Sequence, residues 1–83
     1  MPISFSRMRE CQDKRVKMRF DDGIELVALL VSASKDMDGS LHLAYENVEW
    51  ANDTQALTKM LGKVLYSPGE SLVSIDEFPL SVT

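Results

Sequence analysis

Three groups of residues carry whatever chemistry this chain performs. The first is basic: Arg7, Arg9, Lys14, Arg15, Lys17 and Arg19 stand within the first twenty positions against only Glu10 and Asp13. This local balance of +4 leaves −8 for the remainder of a chain whose net charge is −4. Such asymmetry predicts one basic and one acidic face, and Arg7, Arg9, Arg15, Lys17 and Arg19 are the side chains a phosphate backbone would meet. The alternative is solvated charge on an outward strand face. The overall negative charge argues against a protein that coats nucleic acid through its whole field.

The second group is "DMDGS", where Asp36, Asp38 and Ser40 offer oxygens in the manner of a calcium loop. Counted from Asp36, the twelfth position is Asn47 rather than the glutamate such a loop needs, so a polar turn is expected and no metal site. The third group is the lone His42 and the lone Cys11. A zinc cluster or a Cys–His catalytic pair needs both together, and they lie on segments expected to be far apart. No phosphate-binding glycine loop and no nucleophile elbow occurs. The expectation is a protein without catalytic residues or cofactor, and not an enzyme. Tyr45 and Trp50 are able to stack on bases, but aromatics on a strand more often serve a core or an interface.

The 83 residues, 45% hydrophobic and 27% charged, suit one globular domain near the lower size for a self-sufficient core. Association with other chains is the expected remedy. The longest apolar run, Leu26 to Val31, is far short of a membrane span, and the N-terminus lacks the apolar centre of a signal peptide. One cysteine cannot form an internal disulfide, which points to the cytoplasm.

The elements that must position these groups follow from spacing. Residues 4–13 predict a short helix capped by Ser4 or Ser6, with Phe5, Met8 and Cys11 or Gln12 along one side. Val16, Met18 and Phe20 alternate with Arg15, Lys17 and Arg19, the period of a half-buried strand. Asp22-Gly23 supplies a tight hairpin turn. From Ile24 to Val31 both faces are apolar, so both must be covered, by the N-terminal helix or a neighbouring subunit.

Leu41, Leu43 and Tyr45 resume the alternation, while Val48 and Trp50 fall in the opposite phase. A bulge near Glu46-Asn47 reconciles the two. Residues 53–65 read both as helix, with Asp53 or Thr54 as cap, and as strand. A helical turn or loop to about Leu61 and a short strand at 63–66 are favoured. Pro68-Gly69 fits a type II turn, and Leu72, Val73 and Ile75 form a last strand. Five bent strands behind a helix predict a mainly β, small and partly open barrel. The single domain then divides into a helix at 4–13, strands over 16–50, a connection over 51–62, strands over 63–76 and a tail over 77–83. Its exposed edges invite pairing with other chains, and head-to-tail pairing closes a ring.

In this order and spacing, "VKMRF", Gly23, Ala28, Met37-Asp38 and Leu41, followed by "SPGESLVSI" with Gly69, Leu72 and Ile75 in register, resemble the two motifs of the Sm-like family. The resemblance covers residues 16–43 and 64–75. It implies a small bent Sm-like barrel of five strands, with an unrelated SH3-like barrel as the competing fold, that assembles into a homo-oligomeric ring of five to seven subunits and binds RNA. The slots that bind RNA in the family fall on Asp36, Met37, Asp38, Pro68 and Gly69. There Asp38 stands where an asparagine is usual, Pro68 where an arginine is usual, and Asp36 in or beside the stacking slot. An ionised aspartate only accepts hydrogen bonds, and proline offers no side-chain donor or charge. The expected function is therefore an Sm-like ring that binds RNA or an RNA-processing partner through its basic face more than through the usual pocket. The alternative is a ring that scaffolds proteins without nucleic acid.

Overall fold

The computed structural model describes residues 3–78. In chain order it contains α1 (Phe5–Glu10), β1 (Arg15–Phe20), β2 (Glu25–Lys35), β3 (Leu41–Ala51), α2 (Thr54–Met60), β4 (Leu65–Pro68), a 3₁₀ turn (Gly69–Ser71) and β5 (Leu72–Glu77). All five strands join one antiparallel sheet in the order β4-β3-β2-β1-β5. The sheet is not closed, so β4 and β5 are its two edges.

The alternation in β1 holds residue by residue. Val16, Met18 and Phe20 are buried, while the intervening basic residues face outward. At the end of β1 the Phe20 N–H donates to the Ile24 carbonyl at 2.9 Å, and Gly23 takes φ +90°. A glycine accepts that dihedral without the Cβ clash other residues meet. The core face of the sheet gathers Met18, Leu26, Leu30, Leu43, Tyr45, Val48, Leu72 and Ile75.

The expected bulge in β3 is present. Leu29 pairs with Glu46 and Val27 with Trp50, so three β3 residues lie opposite one of β2, and Asn47 takes φ +54°. This phase change turns Val48 into the core. It does not bury Trp50, which stands outward and 43% exposed. A second irregularity lies where Leu30 pairs with Tyr45 and Ser32 with Ala44, skipping Val31. It brings Ala33 back to the core side.

Helix α1 is capped by Ser4, whose hydroxyl accepts from the Arg7 N–H at 3.2 Å. It presses Met8 and Cys11, both fully buried, onto the core. The helix thus covers the inner side of β2. On the opposite side of β2, Val27 is covered by its cross-strand neighbours Lys17 and Trp50, while Leu29 and Val31 stay partly exposed. The connection between β3 and β4 resolves as helix α2. Asp53 caps it by accepting from the Gln55 and Ala56 N–H groups, and Gly62 at φ +74° follows its end.

Pro68-Gly69 is not a type II turn. Such a turn needs a left-handed second residue, and Gly69 is not one of the left-handed glycines among the described residues. Gly69 instead opens the 3₁₀ turn and is buried against Leu41 and Met8. The glycine is required for room: a Cβ there would lie 2.6 Å from the Leu41 Cβ.

Candidate partner interface

The residues singled out from the sequence fall into two places. The first is the end of the sheet where the β2–β3 turn meets the β4–β5 turn. His42 pairs with Pro68 in the β3–β4 ladder, and the Leu41 N–H donates to both Glu70 carboxylate oxygens at 3.0 and 3.3 Å. The two segments that carry Asp36, Met37 and Asp38 on one side and Pro68 and Gly69 on the other are therefore neighbours.

Their side chains mostly serve the turn itself. The Asp36 N–H donates to the Ser40 carbonyl at 2.8 Å, closing the turn around Gly39. Asp38 accepts from the Ser40 N–H at 3.0 Å and from the Ser40 hydroxyl. Those bonds hold the Asp38 carboxyl below the usual carboxylate range, so it stays an ionised acceptor. Asp36 faces the His42 Nε2 at 2.7 Å. Met37 projects fully into solvent. Asp36, Asp38 and Glu70 give this end a negative field that repels phosphate. No group of three or more metal-ligating side chains assembles among the described residues.

The second place is the set of basic side chains, which the fold divides. Arg7 and Arg9 lie on α1, whereas Arg15, Lys17 and Arg19 lie on the outer side of β1. Most of them have partners within the chain. Arg7 donates to the Ile75 carbonyl at 3.3 Å and lies beside Glu10 and Asp76. Arg9 donates to the Ala33 carbonyl at 3.3 Å. Arg15 donates through Nε to Glu49 at 2.7 Å and to the Phe78 carbonyl at 2.6 Å, with its guanidinium 5.0 Å from the Phe78 ring centre.

Lys17 lies 5.5 Å from the centre of the Trp50 ring and 3.9 Å from Glu25. Only Arg19 of these five has no hydrogen-bond or ion-pair partner among the described residues. A guanidinium already bridging a carboxylate and a carbonyl has few donors left for a phosphate.

Neither Glu49 nor Glu70 stands out from the residue pattern. Both act through strand pairings that the β3 bulge and the 3₁₀ turn set. The fold also exposes apolar side chains on the two edge strands. Tyr66 on edge strand β4 is 78% exposed and sits beside His42 and Pro68 over the small residues Ser32, Ser34 and Ala44. Val73 on the opposite edge is also exposed. An exposed aromatic side chain beside an open sheet edge is what a protein interface uses. No helix of the described residues is long and apolar enough to cross a membrane. No family model matches the chain, and neither a curated protein nor a solved structure does.

Proposed function

We propose that this chain is an Sm-like subunit that assembles through its sheet edges into a homo-oligomeric ring and acts as a protein-interaction scaffold. The observation that carries this reading is the open sheet, with Tyr66 beside one free edge and Val73 on the other. Antiparallel pairing of β4 with β5 of the next copy satisfies both rows of backbone groups, and a heterologous contact whose rotation closes makes a ring, of five to seven members by the Sm-like resemblance. Proteins are favoured over RNA as ligands because the turn end is acidic and most basic side chains are engaged internally. A single free cysteine, unable to form an internal disulfide, suits a reducing compartment such as the cytoplasm.

The test is light scattering of the purified chain at micromolar concentration. The wild type is expected at the mass of a closed oligomer, and Val73→Lys, which places an unpaired charge on the edge, is expected as a folded monomer. A monomeric wild type refutes the assembly.

A second reading, in which the ring binds RNA or an RNA-processing protein, is favoured by the free Arg19 and by the Lys17–Trp50 stack on the same outer face. Under it, Arg19→Ala lowers RNA affinity and reduces the slope of log affinity against log salt by about one. Absence of measurable RNA binding by the wild type removes this reading and leaves the scaffold.

A further inference from the structure

A cavity of about 230 Å³ opens between the β1–β2 turn, helix α2 and the start of the β4–β5 turn. Its floor is apolar: Phe20, Ile24, Leu26, Tyr45 and Met60 line it. The Phe20 and Tyr45 rings lie 6.2 Å apart at an interplanar angle of 31°. Tyr45 is held by a 2.8 Å hydrogen bond with the Ser67 hydroxyl, and the turn is held by the Asp21 N–H donating to the Ser71 carbonyl at 2.8 Å. The walls therefore belong to the fixed part of the fold rather than to a loose loop.

The only charged lining residues are Asp21 and Asp22, both exposed. Asp22 Oδ1 accepts from the Ile24 N–H at 3.0 Å, which leaves its other oxygen free. Asp21 makes no side-chain hydrogen bond or ion pair among the described residues. An apolar, partly aromatic recess with two carboxylates and no cation in its lining is complementary to an apolar stem that ends in a positive charge. Its volume is below the roughly 300–1,000 Å³ of pockets that enclose a whole small molecule, and suits one inserted side chain.

We infer that this cavity seats a lysine or arginine side chain of a partner protein, the stem on Phe20, Tyr45 and Met60 and the charge at Asp21 and Asp22. The inference rests on the protein-binding role proposed above and gives that partner a chemistry: a basic segment. The −8 carried by the residues after position 20 favours the same sign of partner.

The test titrates the full isotope-labelled chain, followed by NMR, with capped glycine-serine peptides carrying a single central lysine, arginine or norleucine, and with n-butylammonium chloride. The lysine and arginine peptides are expected to shift amides at 20–24, 60, 67 and 69–71 saturably. Norleucine, which keeps the stem and drops the charge, is expected to bind several-fold more weakly. Asp21→Asn combined with Asp22→Asn is expected to weaken the lysine peptide roughly three- to tenfold. Met60→Lys, which fills the recess with a cation of its own, is expected to abolish the shifts while the remaining spectrum stays folded.

Shifts centred elsewhere overturn this site while leaving a protein-binding role in place. Binding indifferent to the two aspartates, or to Met60→Lys, overturns the inference. Butylammonium binding as tightly as the peptides overturns the choice of a protein partner. Light scattering on the same samples reads the ring separately, so an assembled chain that ignores every peptide overturns this inference alone.

Discussion

Replacing Gly69 by alanine separates two reasons for a glycine at that position. If Gly69 were the left-handed residue of a type II turn, alanine would suffer backbone strain. The structure instead gives it close packing and no left-handed backbone: the added Cβ would lie 2.6 Å from the Leu41 Cβ and 3.3 Å from the Met8 Sδ and Cε. The end of Met8 can give way, but the Leu41 Cβ is fixed to strand β3, so the backbone must move. Overpacking of this kind destabilises by roughly 1–3 kcal/mol. The stiffer unfolded chain offsets about 0.4–1 kcal/mol of that. The net loss is about 1–2 kcal/mol, which in a domain of this size lowers Tm by roughly 4–16 °C.

Urea and thermal unfolding at one fixed protein concentration measure it, since any assembly contributes to apparent stability. Gly23→Ala is the control for strain, because Gly23 sits at φ +90° with nothing within 4 Å of an added Cβ. Leu41→Gly removes the atom that clashes. Combined with Gly69→Ala it is expected to be less destabilising than the sum of the two by about 1 kcal/mol or more. A Gly69→Ala protein as stable as the wild type, or strict additivity with Leu41→Gly, refutes the packing argument.

Two further predictions concern the sheet edge and the second helix. The Lys14 ammonium donates to Glu77 at 2.6 Å, and the contact holds the Glu77 carboxyl below its ordinary value of 4.5 and the Lys14 ammonium above its ordinary 10.5. The Glu77 contribution is therefore present above the ordinary carboxylate value and is lost as pH falls through the depressed one. The Lys14 contribution is present below the ordinary lysine value and is lost as pH rises through the raised one. Glu77→Gln is expected to flatten both limbs of the urea midpoint against pH, and a profile parallel to the wild type contradicts the pairing. Asp53→Ala removes the acceptor for the Gln55 and Ala56 N–H groups and is expected to weaken α2 by about 1 kcal/mol. Because α2 buries no residue fully, faster hydrogen exchange should stay within residues 54–60, and exchange spread through β1–β3 contradicts that local account.

What the sequence made legible was what one periodicity or one backbone dihedral decides. The β1 alternation, the Asp22-Gly23 hairpin and the helix caps depend on residues within a few positions of each other; the first two stand where they were read, and of the alternatives Ser4 or Ser6 and Asp53 or Thr54 the caps are Ser4 and Asp53. The β3 bulge was legible because a phase change in apolar residues leaves no other solution for Val48. Beyond it the same logic failed for Trp50, since the irregular stretch between Glu46 and Trp50 resets the phase a second time. Gly69 misled for a related reason. A Pro-Gly pair is a turn signal whatever lies above it, and the need for room below Leu41 arises only when β3 and the 3₁₀ turn pack together.

The candidate sites were hidden by the same distinction between local and distant partners. Counting charge along residues 1–20 found a basic segment, but charge is exposed or spent according to what lies across the sheet. Glu49 reaches Arg15 from a strand thirty-four positions away, and Glu77 reaches Lys14 from sixty-three. These pairings convert most of a +4 segment into internal ion pairs and leave Arg19 and the Lys17–Trp50 stack as its outward remainder. Asp21 and Asp22 gained meaning in the opposite direction. In the sequence they are turn residues beside Gly23; in the fold they stand at the mouth of an apolar recess built by Tyr45 and Met60, which are far along the chain. Acidic charge is therefore the unpaired charge beside a cavity among the described residues, and basic charge is largely paired within the framework, a contrast on which the proposed preference for a basic protein segment rests.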